Sequence, residues 1–454
     1  MKVIFADRAL LAHGWAENVR VEIAHGKITA TTPDVQALPS DTRVSCLLPA
    51  LSNLHSHSFQ RAMAGMTEHR VAGRDSFWTW RELMYRFMHR LTPDQIEAIA
   101  ALVFMEMQEA GYAAVGEFHY VHHQPGGAKY DDPAELSTRI FAAANLTGIG
   151  LTHLPVLYSY GGAGAQPLAQ GQLRFGNTVD SFATLLDAVR AAAQTLPVDT
   201  RVGIAPHSLR ATNPADLARA LPLAQGNPIH IHVAEQPKEV ADIHAWLGAR
   251  PVEWLLQNAP VGPDWCLIHA THMTNEETSG LARTGAVAGL CPITEANLGD
   301  GPFNGPGWLA AGGIFGIGSD SNVRISLTEE LRTLEYSQRL RDIARNVMID
   351  GEGSIGHSIY VGAAKGGAAA LGRKSGQIEI GHLADLCAID LTHPALCALA
   401  PAQILDGLAF AASDAVVTDL WSAGRHQVQS GRHIHRDTII AGWRRSVKQL
   451  MDTL

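Results

Sequence analysis

Two imidazoles one residue apart, His55 and His57, follow the apolar run Cys46-Leu47-Leu48-Pro49-Ala50-Leu51. Side chains two positions apart share one face of a β-strand, so both rings can reach one metal ion. Alone the pair means little in a chain with 22 histidines. Three further apolar runs close on residues of the same kind: His230-Ile231-His232-Val233-Ala234-Glu235, Leu267-Ile268-His269-Ala270 and Ile317-Gly318-Ser319-Asp320. Three nitrogen donors (His55, His57, His232) and one oxygen donor (Asp320) make a set suited to one divalent metal, zinc first, with iron(II) or manganese also acceptable. Such an ion brings the pKa of a water toward neutrality, which makes hydrolysis the expected chemistry. Asp320 can then accept a proton. Glu235 can carry one to a substrate nitrogen only if the strand ends at Val233 and the chain turns, because three positions past His232 a continuing strand faces the other way. His269 would hold the attacking water or the developing charge. Taken singly, His232 or His269 could be hydrogen-bonded core histidines, and Asp320 could cap the next helix. Core packing gives no reason for four separate strand ends to carry the full set.

Groups of this kind on several strand ends belong at the C-terminal mouth of a parallel (β/α)8 TIM-type barrel. Eight strands are expected: the runs ending at His55 and His119, then 150–157, 201–206, 229–233, 266–269, 286–290 and 314–318. Between them lie helical stretches. Thr92-Pro93-Asp94-Gln95 starts one that Gly111 ends, and 181–195 and 326–347 read as others. Residues 3–47 instead read as short strands, with Ala24-His25-Gly26-Lys27 as a hairpin turn. After Gly372, β signals return at 378–380, 386–390, 415–420 and 425–430, with a helix at 401–410. An isolated hairpin has too little face to bury, so both termini are expected to build one small β-sandwich. The expected division is 1–47 for the first part of the sandwich, 48–376 for the barrel, and 377–454 for the second part and C-terminal segment. Two long segments, 59–88 and 158–177, are expected over the mouth.

The chain has 454 residues, 46% of them hydrophobic, enough for a large core. A net charge of −9, a pI near 6.2 and the lack of any Lys/Arg-rich run argue against nucleic-acid or anionic-membrane partners. No apolar stretch approaches a membrane span and no leader pattern opens the chain, so a cytoplasmic location is expected. The five cysteines, Cys46, Cys266, Cys291, Cys387 and Cys397, show no CxxC pairing and read as reduced thiols. A homodimer is the expected assembly. The run His119-Tyr120-Val121-His122-His123 has no carboxylate or cysteine partners close by in sequence, which disfavours a second metal site.

The order HxH, HxxE, a later His, then Asp after a Gly-containing eighth strand resembles the amidohydrolase superfamily in its mononuclear deaminase branch. The resemblance spans the whole chain, including the turn Gly381-His382-Leu383-Ala384-Asp385-Leu386 at re-entry to the sandwich. Binuclear members carry a carboxylated lysine in mid-barrel; neither 150–157 nor 201–206 contains a lysine, so one metal is implied. More narrowly, the segments 53–65 and 116–123 are similar to the formimidoylglutamate deiminase family. That implies hydrolysis of N-formimino-L-glutamate to N-formyl-L-glutamate and ammonia in histidine degradation. It also implies His55, His57, His232 and Asp320 as ligands, Glu235, His269 and Asp320 as catalytic groups, and Gln60, Arg81, Tyr120, His207 and Arg210 as substrate contacts. A small dicarboxylate bound to an acidic protein needs local cations, and Arg81 and Arg210 can fork carboxylates. The alternative in the same superfamily is a guanine or adenosine-type aminohydrolase, which would want stacking and amide readout around a planar ring. A metal-free scaffold that only binds partners is disfavoured because no ligand position is lost.

Overall fold

In β1 (Lys2–Leu11), β2 (Gly14–Ala24), β3 (Lys27–Thr32) and β4 (Thr42–Pro49), buried positions are interspersed with exposed ones, as a half-covered sheet requires. Val19, Val21 and Ile23 face inward from β2. The turn into β3 uses His25 and Gly26, both with positive φ, which suits the twist of a two-residue hairpin. The computed structural model describes residues 2–68 and 77–452.

One residue after β4, the pattern changes. β5 (Leu51–Ser56), β6 (Tyr112–His119) and β7 (Gly150–Leu157) are buried along their whole length, as strands covered on both faces must be. The short β8 (Arg201–Val202) and β9 (Ala205–Pro206) both pair with β7. β10 (Ile229–Val233), β11 (Trp265–His269), β12 (Val287–Leu290) and β13 (Ile314–Ile317) continue in parallel. Single bridges close the ring, Ile204 to Ile229 on one side and Ser56 to Asp320 on the other. The eight positions are those expected from sequence, except that 201–206 is broken at Gly203, where a Cβ would lie 2.3 Å from the carbonyl O of Pro228.

The helix Pro93–Ala110 starts with a capping box between Thr92 and Gln95 and ends at Gly111 with φ 106°. Leu327–Asp342 starts at Ser326 but stops short of the expected 347. Ile343 turns to φ 51°, and the buried Glu335 carboxylate draws in the amides of Val347 and Met348. The segment 59–88 holds a 3-10 helix, Ser58–Met63, and a helix, Phe77–Met88; its part 69–76 lies outside the described residues. The segment 158–177 is pinned to the barrel: the buried guanidinium of Arg174 donates to the carbonyls of His123 (2.9 Å) and Leu91 (3.0 Å).

β14 (Leu386–Ile389), β15 (Val417–Ser422), β16 (Arg425–Gln429) and β17 (Arg432–His433) return to the N-terminal strands, giving one eight-stranded sheet in the order β17-β16-β15-β14-β4-β1-β2-β3. The sheet folds over on itself, so that Val19, Val21 and Ile23 share a core with Leu386, Ala388 and Trp421. The strand expected at 378–380 reduces to a single bridge between Leu11 and Ile378, and Ile380 is exposed. A helix, Ile404–Phe410, follows the 3-10 turn Pro401–Gln403. A last helix, Arg436–Met451, was not singled out in the sequence; it packs on Pro93–Ala110, and Arg436 pairs with Glu109. Sandwich and barrel are joined by a buried ionic knot: Arg373 pairs with Asp199 and Asp385 (both 3.1 Å), and Arg425 pairs with Asp199 (2.8 Å). No helix among the described residues is long and apolar enough to cross a membrane.

Candidate active site

Strands β5 and β13 approach closely at the rim of the barrel because Gly318, just past β13, carries no side chain where it faces His55. A Cβ on Gly318 would lie 2.8 Å from both the amide N and the carbonyl O of His55. The two chain segments are laced together: Asp320 N donates to His55 O and His57 N to Asp320 O, both at 2.9 Å. Asn53 Nδ2 donates to Ser319 Oγ (2.6 Å), and Asn322 Nδ2 to Ser56 Oγ (3.1 Å). Asp320 itself sits at φ 46°, which swings its carboxylate off the strand line and over the barrel axis.

Four side chains converge there. His55 Nε2 lies 3.1 Å from the Nε2 atoms of both His57 and His232, and Asp320 Oδ1 is 3.4 Å from His55 Nε2 and 3.2 Å from His57 Nε2. The other ring nitrogens explain the orientation. His57 Nδ1 donates to Phe118 O (3.0 Å) and His232 Nδ1 to His207 O (3.1 Å), which leaves their Nε2 lone pairs facing inward. Lone pairs and a carboxylate oxygen this close need a cation or a proton between them. Burial pushes the His55 imidazole down to about 3, so a proton is not held there at neutral pH. The donor set therefore fits a divalent metal, and the four ligand atoms all lie within 4.8 Å of one another.

β10 ends at Val233, and Ala234 turns at φ 50°, aiming Glu235 over the same mouth. The buried Glu239 carboxylate holds that turn by accepting the amides of Ala234 (3.3 Å) and Glu235 (3.1 Å). His269, at the end of β11 with φ 69°, directs Nε2 to a point 3.9 Å from both Glu235 Oε1 and Asp320 Oδ2. Burial opposes charge on His269, yet Glu235, Glu295 and Asp320 together push its pKa up to about 10. Burial also pushes the Glu235 carboxyl up, against the pull of His269 and Arg210. Despite burial, the imidazoles of His55 and His57 hold Asp320 well below the usual carboxylate range.

Above this floor lies a cavity walled by Trp80, Met84, Tyr85, Tyr158 and Phe175. All five substrate contacts implied by the resemblance, Gln60, Arg81, Tyr120, His207 and Arg210, line it. Gln60 Nε2 donates to Tyr120 Oη (2.9 Å). Arg81 lies over the rings of Trp78 (4.7 Å) and Tyr85 (5.6 Å) and has no carboxylate partner among the described residues. Arg210 differs: its guanidinium is 3.5 Å from Glu235 Oε2 and 3.9 Å from Glu239 Oε2. The sequence reading missed Tyr85, Tyr158 and Phe175 on the cavity wall, because buried aromatics carry no spacing that separates a wall from a core. It also missed Glu239 and Glu295, each four residues along from an amide it accepts, a signal that reads equally as a helix cap. The run His119 to His123 forms no second metal cluster among the described residues. His122 and His123 turn Nε2 to the carbonyls of Val156 and Gly176, both at 2.9 Å.

The profile of the amidohydrolase family matches residues 46–426, and that of the formimidoylglutamate deiminase HutF N-terminal domain matches residues 1–45. The chain is 50% identical to a formimidoylglutamate deiminase of Pseudomonas aeruginosa over 100% of its own length and 99% of that protein's. Its fold is similar to that of an amidohydrolase from Brucella melitensis, with a TM-score of 0.95 and 47% identity, covering 99% of this chain and 100% of that one. It also resembles an adenosine deaminase from Xanthomonas campestris with bound zinc, with a TM-score of 0.83 and 22% identity, covering 99% and 98% of the two chains; at that identity the likeness shows the fold alone. Matched along its whole length, barrel and terminal sheet alike, the chain belongs to the amidohydrolase family and groups within it with the formimidoylglutamate deiminases.

Proposed function

We propose that the chain hydrolyses the formimino C–N bond of N-formimino-L-glutamate, adding water and releasing N-formyl-L-glutamate and ammonia, as a step of histidine degradation. The full-length likeness to a formimidoylglutamate deiminase supports this substrate. The observation that carries it in the site is Arg81, a cation at the cavity wall with aromatic faces but no carboxylate of the described residues beside it. A dicarboxylate supplies what that guanidinium lacks.

One divalent ion, zinc by its donor set, held by His55, His57, His232 and Asp320, would supply the Lewis acidity that makes water a nucleophile at neutral pH. Asp320, held anionic, accepts the proton of the attacking water. Glu235, whose carboxyl burial pushes toward the protonated form, delivers a proton to the departing nitrogen. His269, pushed toward its charged form between these carboxylates, steadies the negative charge that develops on the oxygen. Gln60, Tyr120, His207 and the two arginines orient the glutamate portion. A cytoplasmic homodimer belongs to the same proposal. The buried, unpaired Cys46, Cys266, Cys291 and Cys387 suit a reducing compartment. The test is ammonia release by purified protein from N-formimino-L-glutamate, guanine and adenosine. Turnover of a purine without turnover of formiminoglutamate refutes the reading.

A further inference from the structure

Behind His269, on the side away from the cavity, lies a carboxylate that the reaction above does not use. Glu295, buried at 6% exposure, sits on the short helix Pro292–Leu298 after β12. Its Oε1 is 3.2 Å from His269 Nδ1 and accepts the amide of Cys291 at 2.9 Å. The histidines of the floor are not treated alike: His57 and His232 donate Nδ1–H to backbone carbonyls, whereas His269 meets a carboxylate. A charged acceptor binds an N–H roughly twice as strongly as a neutral one. The difference matters at this position. With φ at 69° for His269, the last paired residue of β11, and 48° for Ala270, the backbone departs from extended geometry here, so strand geometry alone does not direct the ring.

We propose that Glu295 is a positioning residue for this site: it accepts the His269 Nδ1–H and so aims Nε2–H into the gap between Glu235 and Asp320 where the attacking water must sit. The inference rests on the role given to His269 above. Two other readings of the same atoms are distinguishable. Glu295 could merely cap its helix through the Cys291 amide. Alternatively, His269, Cys291 and Glu295, whose ligand atoms lie within 4.8 Å of one another, could hold a second cation. Against the latter, Glu295 Oε1 already faces two N–H groups.

The test compares Glu295→Gln with wild type, since Gln keeps the shape and one acceptor but removes the charge. Loss of a carboxylate behind a functional histidine typically costs about 10- to 100-fold in activity. A fall in kcat of that size is expected, with KM, bound metal per chain and Tm close to wild type, because Glu295 touches neither substrate nor the four ligands. A second readout needs no substrate. In protein labelled with 15N-histidine, the His269 ring N–H, assigned by its disappearance in His269→Asn, should resonate far downfield and move upfield in Glu295→Gln. An unchanged kcat, an unmoved resonance, a loss confined to Tm, or a fall in bound metal would each overturn the proposal. If wild-type protein released no ammonia from formiminoglutamate, the substrate reading would fail, while the resonance would still judge Glu295.

Discussion

Arg81→Met is the cleanest perturbation of the substrate reading, because Arg81 has no carboxylate partner among the described residues, whereas Arg210 balances Glu235 and Glu239. Two unit charges about 4 Å apart near a protein surface, at an effective dielectric constant of about 20, attract by roughly 4 kcal/mol. Water competing for the free carboxylate and guanidinium returns part of that, and charge-pair truncations at partly desolvated sites cost about 2 to 5 kcal/mol. A loss of about 2 to 3 kcal/mol in kcat/KM for formiminoglutamate follows, or roughly 30- to 150-fold at about 1.4 kcal/mol per decade. It should fall chiefly on KM, since the carboxylate is held alike in ground and transition states. The assay is steady-state ammonia release on formiminoglutamate and on each of two analogues lacking one carboxylate. On the analogue missing the carboxylate that Arg81 holds, the variant should approach wild type. Equal losses on all three substrates would show that Arg81 shapes the wall rather than binding charge, and the substrate argument would fall.

Four further outcomes are expected. Glu235→Gln should lower kcat by at least about 100-fold while leaving bound metal unchanged, because the role proposed for Glu235 is to move a proton without joining the four candidate ligands; a normal rate would return it to a structural role. Prolonged chelation should abolish turnover and one equivalent of zinc per chain should restore it, whereas two equivalents in fully active protein would contradict the single site. Arg373→Met should destabilise the fold by about 3 kcal/mol or more in urea, as removal of one partner from a buried pair does. The same contact sets a pH dependence. Burial opposes it, but Arg425 and Arg373 hold Asp199 below the usual carboxylate range, so its contribution is present above the unfolded carboxyl value near about 4 and lost as pH falls further. The stability gap between wild type and Arg373→Met should therefore narrow on acidification from about pH 5; a gap that stayed constant would place the cost elsewhere.

The barrel could be read from sequence because most of its strands are short apolar runs buried along their length, and because several of those runs end in residues that have no business at the end of a core segment. His232 and Asp320 stand out in that way. Local sequence could not give what depends on distant partners. Whether Glu235 faced the mouth hung on a turn at Ala234, and the Glu239 carboxylate that holds it looks like any helical glutamate. In sequence Arg81 and Arg210 are equivalent cations near the mouth; only tertiary contact shows that both lie over Trp78 while Arg210 also faces buried acids. The helix starting at Leu327 kept its period past Asp342, but the left-handed Ile343 and the pull of Glu335 end it there. Aromatic wall and aromatic core look the same in one dimension.

The place where β5 meets β13 carries a consequence for how the protein holds together. Its hydrogen bonds join residues 266 positions apart, as between Asn53 and Ser319, so they span almost the entire barrel in chain length. The candidate ligands straddle that line, His55 and His57 on one side and Asp320 on the other. A bound ion is then a clasp on a hoop, fastening the first stave to the last across the longest loop the barrel must close, where a cross-link removes the most chain freedom. Taking the ion out would not leave a sound barrel with an idle site. It would loosen the hoop at this line first, so amide exchange at His57 and Asp320 should quicken before that of β6 or β11, and catalysis and mechanical closure would fail together.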